Sequence, residues 1–310
     1  MLSPRLHHTL ALLTLFYSST LWGLFWYPFR VLESMGVDGL TATCIAYLLP
    51  ALVVGWWYVK DLWQARAHWL WLLILGITSG WSNVGYVLGA LEGEVMRVLL
   101  LFYLSPLWTV LFAWFLLGER LNRLGWAVIA LSLGGALVML WQPDGKLPLP
   151  ANRAEWFGLS AGVTFALSIV AGRYLGTDMS NGAKTLAVWL GVTTLTAVGL
   201  VFAPFQGGLV VFTGEAVWLL LGLSVAIGSV TYAVQFGVTH VPASQSNVIF
   251  LFELVVAAIA AYWLTQERMD WQEWLGAGMI LASSLFSGKM QQNDTPSATK
   301  ETRPPSNLLV

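Results

Sequence analysis

The sequence predicts an all-α integral membrane protein with ten transmembrane helices, built as two five-helix halves of opposite orientation. Three observations predict it. Ten stretches of about 20 apolar residues follow one another along the 310-residue chain, and about 20 is the number a helix needs to cross a hydrocarbon core. Apolar residues make up 57% of the chain and charged residues 10%, against roughly 25% charged in soluble domains. The last five stretches faintly copy the first five, and an odd number of spans per copy turns one half upside down in a bilayer.

Uncharged runs settle the solvent. Lys184 and Glu215 enclose 30 residues without Asp, Glu, Lys or Arg, and Glu215 and Glu253 enclose 37. Polar breaks place the spans near 9–32, 38–58, 68–91, 94–118 and 123–142, then 153–175, 183–204, 215–239, 243–265 and 270–289. The apolar segment after Met1–His8 is longer than the 7 to 15 residue core of a signal peptide, has no small-residue cleavage site, and reads as the first permanent helix. The organisation that follows is a first repeat over 1–142, a Pro- and Gly-bearing connector over 143–152, a second repeat over 153–289 and a disordered cytoplasmic tail over 290–310.

Cytoplasmic loops collect Lys and Arg. With the amino terminus inside, Arg5, Lys60, Arg66, Arg120, Arg123, Arg173, Lys184, Lys289, Lys300 and Arg303 fall inside, and only Arg30, Arg97, Lys146, Arg153 and Arg268 fall outside. Ten against five places both termini in the cytoplasm, in a membrane expected to be the bacterial inner membrane. A net charge of -1 provides no basic field for nucleic acid. The single cysteine, Cys44, excludes an internal disulfide and reads as a packing residue.

A shift of 148 residues sets Gly89 on Gly237, Phe102 on Phe250, Leu116 on Leu264, Glu119-Arg120 on Glu267-Arg268 and Trp126 on Trp274. A shift of 143 sets Trp22 and Arg30 on Phe165 and Arg173. The charged pair closing the fourth and ninth spans alike is the stronger signal of internal duplication.

The run Leu21-Trp22-Gly23, with Ser105-Pro106 followed by Leu117-Gly118-Glu119-Arg120, resembles the drug/metabolite transporter superfamily, specifically the EamA-type ten-helix exporters, over nearly the whole chain. In that family each half usually has a proline in its fourth helix; here Pro106 supplies the first, and Leu254 preceded by Glu253 stands at the second. The resemblance implies a basket of ten helices around a central cavity lined mainly by helices 1, 3, 4, 6, 8 and 9, with 5 and 10 packed outside. It also implies export of amino acids, metabolites or drugs, with aromatic amino-acid exporters among the members closest in style.

Glu253, near the middle of the ninth span, is the sharpest single residue. A carboxylate at membrane depth faces protein or water, where it can bind a substrate ammonium or take and release a proton, the plain alternative being a hydrogen-bonded tie between helices. Ser246, Phe250, Glu253 and Ala257 share one face, and the repeat maps them onto Val98, Phe102, Ser105 and Thr109. Ser82, Asn83 and Tyr86 in the third span, and Ser229, Tyr232 and Gln235 in the eighth, need polar partners that a wet cavity or a neighbouring helix supplies. Trp22 and Phe165 read as cavity walls, and Pro106 beside Ser105 as a gating element. The substrate-binding set is therefore Trp22, Ser82, Asn83, Tyr86, Phe102, Ser105, Phe165, Tyr232, Gln235, Ser246, Phe250 and Glu253.

Other features read as structural. Trp56-Trp57-Tyr58, Trp69, Trp71, Trp141, Trp156, Trp218, Trp271 and Trp274 lie near span ends as an interface belt. Glycines 76, 80, 85, 89 and 93 of the third span admit close helix contact. Arg30, Arg97 and Arg173 lie towards span ends where they can snorkel, and Glu94 is one turn from Arg97.

The chain has no Gly-x-x-x-x-Gly-Lys-Ser/Thr run, which excludes ATP-driven pumping by this chain alone. His7, His8, His68 and His240 have no metal or acid-base spacing, so neither a metal, a cofactor nor an enzyme is expected. The expectation is a secondary exporter of a small organic solute by alternating access, with proton coupling through Glu253, as a monomer or homodimer in the lipid bilayer. A channel and a membrane assembly protein are the alternatives.

Overall fold

The computed structural model describes residues 4–93, 95–141, 149–202, 213–264 and 270–290, which contain helices and no strand. Glu94, most of the connector, the Glu267-Arg268 pair and the tail after Met290 lie outside the described residues.

Helix α1 (Pro4–Ser34) is 31 residues long, about 46 Å at 1.5 Å per residue, and so extends beyond a ~30 Å core. After the Gly36 turn (φ +87°), α2 (Gly39–Val53) starts at Asp38, whose carboxylate accepts from Thr41 N at 3.0 Å. Pro50 lies inside α2, which yields to α3 (Gly55–Gln64) after a kink at Val54. A 3₁₀ turn over Ala65–His68 carries the polar loop, and α4 (Trp69–Glu92) follows.

The fourth predicted span is broken. It comprises α5 (Val95–Phe102), α6 (Ser105–Phe112) and a π turn over Ala113–Leu117, and ends at Gly118, whose φ of +69° suits glycine. Pro106 sits in the first turn of α6, where its missing N–H costs nothing. Then come α7 (Arg123–Met139), capped by Asn122, α8 (Arg153–Leu175), capped by Asn152, α9 (Asn181–Phe202) and α10 (Gly214–His240), capped by Thr213. The ninth span divides into α11 (Ala243–Phe250) and α12 (Phe252–Leu264) at Leu251. No proline is needed there: the Leu251 N–H reaches Asn247 O at a long 3.4 Å, and Leu254 N bonds back to Leu251 O in a tighter turn. The 148-residue shift sets this break on Tyr103, at the break in the fourth span. The last helix, α13 (Trp271–Phe286), opens with an Asp270–Glu273 capping box.

Among the described residues, seven helical stretches are long and apolar enough to cross a membrane, and Gly39–Val53 and Arg123–Met139 are shorter apolar helices. One of the seven, Gly55–Glu92, has 38 residues. It bends at Ala65–His68, beside Lys60, Asp61 and Arg66, so a headgroup-level turn divides it. Large apolar side chains face outward, among them Val201, Phe202, Trp263 and Leu285 at 78–82% exposure. That surface is suited to acyl chains and would aggregate in water.

Packing crosses between the halves. Helix α4 lies against α8 and α9, and α10 lies against α1 and α2; α5 and α6 meet α8, and α11 and α12 meet α1. Helix α7 pairs with α13, α2 with α9 and α6 with α11. Exchanging the halves turns most of these contacts into another of the set or into themselves, α6 with α11 being the exception. Glycine sets the closest approaches: a Cβ on Gly76 would lie 2.8 Å from Ala187 O and 3.6 Å from Gly191 Cα. Gly89 and Gly237, matched by the repeat, each face the first helix of the other half, at Ala154 and Leu15 respectively. The glycines of α4 thus let the backbones of α8 and α9 approach where a side chain would not fit.

Candidate substrate-binding site

Four aromatic side chains from α1, α5, α8 and α11 meet between the halves. Trp22 lies 5.9 Å from Phe165 in an edge-to-face pair and 5.2 Å from Phe250; Phe165 is 5.4 Å from Phe102 and 5.8 Å from Phe250. These separations fall in the favourable range for ring pairs. The quartet consists of the two repeat-matched pairs, Trp22 with Phe165 and Phe102 with Phe250. Tyr86 extends it, with its ring 5.7 Å from Phe102.

Beside the quartet lies a cavity. Its walls are Trp22 of α1, Tyr47 of α2, Ser79, Ser82 and Asn83 of α4, Phe165, Ser168 and Ile169 of α8, Val188 of α9, and Thr231, Val234, Gln235 and Val238 of α10. About 50 Å³ is open to the centres of water-sized molecules, room for a few waters at roughly 10–15 Å³ each. Ligand pockets of metabolite size enclose about 300–1,000 Å³. The cavity is therefore smaller than a metabolite site. Helices α2 and α9 take wall positions expected of the fourth and ninth spans, whose Phe102 and Phe250 stand behind Phe165.

Several wall groups are already engaged. Asn83 donates to Ser79 O at 2.9 Å and bonds the Tyr47 hydroxyl. Ser168 donates to Phe165 O and Thr231 to Ile227 O, both at 2.8 Å. Gln235 differs: at 4% exposure its Oε1 finds no partner among the described residues, and Gly172 of α8 leaves the space it occupies.

Glu253 points into protein. It accepts from the Tyr103 hydroxyl at 2.6 Å, joining α12 to the break after α5, and lies beyond the quartet from the cavity. The neighbouring tie runs between α6 and α11: Ser105 Oγ donates to Asn247 Oδ1 at 3.2 Å, and Asn247 Nδ2 donates to Thr109 Oγ1 at 2.5 Å. Pro106, next to Ser105, is buried at this crossing.

Charged clusters close the two ends of α8. At its start, Arg97 contacts Glu155 at 2.8 and 3.3 Å, and Glu155 also accepts from Ala151 N and Asn152 Nδ2. At its end, Arg173 bonds Glu119 at 3.2 Å and the Thr239 carbonyl, Glu119 caps α11 through Ala243 N at 3.0 Å, and Lys184 bonds Gly176 O and the Thr239 hydroxyl. By helix rise these clusters lie about 15 Å and about 12 Å along α8 from Phe165.

Trp22, Ser82, Asn83, Phe165 and Gln235 of the predicted set line the cavity; Tyr86, Phe102 and Phe250 back it. Four do not reach it, Glu253 among them, held instead by Tyr103. Tyr232 is 42% exposed and stacks on Tyr58, because it lies 100° around α10 from Thr231. Ser246 is fully buried with its hydroxyl unpartnered among the described residues, and Ser105 is spent on Asn247. Arg97 and Arg173 do not snorkel, since Arg97 is drawn to Glu155 of α8 and Arg173 to Glu119 in the loop after the fourth span. The pairing of Arg97 with Glu94 lies outside the described residues. Trp71, near the start of α4, stacks on Tyr174, near the end of α8, at 4.0 Å. Sequence reading missed Tyr47, Tyr103 and Asn247. An amide at membrane depth needs a partner, and that rule could have singled out Asn247.

Outward apolar helices, halves that pack by exchange and a cavity of mixed apolar and polar lining at their seam define a helical membrane transporter. The chain belongs to the EamA-like transporter family, which it matches twice, at residues 9–141 and 152–288. It is similar to the riboflavin transporter of Rhizobium johnstonii, with 26% identity over 71% of each chain. It is also similar to the uncharacterized transporter YojE of Bacillus subtilis, with 25% identity over 81% of this chain and 92% of that one. A solved crystal structure superposes with a TM-score of 0.70 over 90% of this chain and 98% of its own, at 18% identity, a likeness of fold alone.

Proposed function

We propose that the protein is a secondary exporter of a small organic solute, working by alternating access in the bacterial inner membrane with both termini in the cytoplasm. Two inverted five-span repeats form the carrier. The observation that carries this reading is the aromatic quartet, two repeat-matched pairs beside a cavity of mixed apolar and polar lining at the seam of the halves. The double family match and the exchange of packing partners support the duplicated architecture.

In the cycle, separation of the quartet opens the cavity, and the charged clusters at the ends of α8 part in turn. Glu253, held by Tyr103, exchanges a proton as α12 moves against α5. The breaks at Tyr103–Leu104 and Leu251 are the points where the fourth and ninth spans bend, and Pro106 is the gate element.

Flux assays in proteoliposomes test this. Labelled solutes, an amino-acid panel together with the riboflavin of the Rhizobium relative's name, are followed with and without an imposed proton gradient. A transported solute and a gradient effect that is lost in Glu253→Gln are expected. Unchanged gradient dependence in that variant removes Glu253 from the coupling. Conductance far above carrier turnover would instead identify a channel.

A further inference from the structure

Away from the cavity, the outer surface carries a cluster of charge that the tertiary structure assembles. Arg120, Arg123 and Lys289 are exposed, and among the described residues none of them pairs with a carboxylate. The carboxylate nearest in sequence, Glu119, is bonded to Arg173 and to Ala243 N. Other exposed cations keep acidic company: Arg153 lies 3.6 Å from Glu92, and Lys60 adjoins Asp61.

Two segments 167 residues apart in sequence meet to form this patch. Asn122 N donates to Met290 O at 3.0 Å and Asn122 Nδ2 to Lys289 O at 2.8 Å, which binds the turn after α13 to the start of α7. Met290 anchors the junction, its side chain fully buried in a cluster with Val128, Ile129 and Val248. Each helix adds an exposed ring about one turn deeper in the membrane. Trp126 follows Arg123 by three residues on α7, and Phe286 precedes Lys289 by three, with the Lys289 ammonium 5.9 Å from its ring centre. A spacing of three keeps cation and ring on one face. Such rings occupy the headgroup layer, so the cations stand at the level of lipid phosphates, and Leu285 below them is 80% exposed to the acyl chains. Mutual repulsion among three cations is relieved by an anion, and the phase bordering this patch is lipid. We propose that the patch binds an anionic phospholipid, with Arg120, Arg123 and Lys289 on its phosphate and Trp126 and Phe286 along its glycerol and upper acyl chains. The lipid then clasps the end of α13 to the start of α7, whether or not the chain is a carrier.

Native mass spectrometry of the full-length protein, stripped of lipid in detergent and titrated with phosphatidylglycerol or phosphatidylcholine, tests this through the dissociation constant of the first lipid bound. Phosphatidylglycerol should bind at least about tenfold more tightly than phosphatidylcholine. A protein carrying Arg120→Gln, Arg123→Gln and Lys289→Gln should lose at least about tenfold of that affinity, since each cation near an anionic headgroup contributes about fivefold. Lys60→Gln with Arg66→Gln, in another exposed basic stretch, should leave it unchanged. Equal binding of the two lipids, unchanged affinity in the triple variant, or an equal loss on altering Lys60 and Arg66 overturns the proposal. Displacement of the lipid by inorganic phosphate would assign the patch to a free anion and overturn it as well. Should the triple variant not fold, Arg123→Gln alone takes its place, with a loss of about fivefold expected and no loss overturning the proposal.

Discussion

Arg97 and Glu155 show what a charge must do at membrane depth. Their side chains are 8% and 4% exposed and bonded at 2.8 Å, and Glu155 has two further donors in Ala151 and Asn152. Removing one member leaves the other buried and unpaired, which costs about 3–5 kcal/mol. Arg97→Met should therefore lower the midpoint of thermal unfolding in detergent markedly, and Arg97→Met with Glu155→Leu should recover much of the loss. A double variant no more stable than the single one would contradict that account. Sequence spacing pointed to Glu94, one turn away; the partner in the fold is 58 residues distant. Local spacing reveals only neighbours on the same helix, and Arg97 also faces a second one. Trp22, Phe165, Phe102 and Phe250 were legible as a set because each has a counterpart in the repeat. Tyr103 was not, because its counterpart, Leu251, carries no hydroxyl and its partner Glu253 lies 150 residues on.

Helix against helix, the decisive quantity is backbone approach. Gly191 of α9 leaves no space for a side chain, since the backbone of Gly76 fills the site where its Cβ would be. Gly222 of α10 has nothing within 4 Å of the same position. Gly191→Ala should therefore destabilise the protein by about 1–3 kcal/mol, the usual range for overpacking, whereas Gly222→Ala should be near neutral. Thermal unfolding or monodispersity in detergent distinguishes them, and equal behaviour would show that the α4–α9 seam yields. The glycine stripe of α4 was readable as a contact surface from its spacing. Which helices it touches was not, because small residues identify a close approach and carry no identity for the partner. Breaks were half legible: Pro106 marked the one in the fourth span, while the break at Leu251 arises without proline from the tightened backbone after Asn247.

At the scale of the molecule, the halves are interleaved: α8 of the second half is seated on α4, α5 and α6 of the first, and α1 on α10, α11 and α12. The alternating access proposed above would require these mixed bundles to move, with the Ser105–Asn247–Thr109 tie at their crossing. A Ser105→Cys, Asn247→Cys protein in a Cys44→Ser background should form a disulfide on oxidation and lose flux, with recovery on reduction. Flux that persists through a complete cross-link would place the moving interface elsewhere. Composition and hydropathy alone determined that the chain is helical and lies in lipid, because hydrocarbon demands internally bonded backbone and long apolar runs, and residue matches between the halves pointed to a duplication. They also exposed Trp22, Asn83, Phe165 and Gln235, since polar and aromatic groups at mid-span have few uses. Only the tertiary structure decided that α2 and α9 wall the cavity, that Tyr232 faces outward, and that Glu253 binds Tyr103 apart from it. Those facts depend on the rotation of each helix and on the identity of its neighbours. Both are set by side-chain packing between residues far apart in the chain, which no local period encodes.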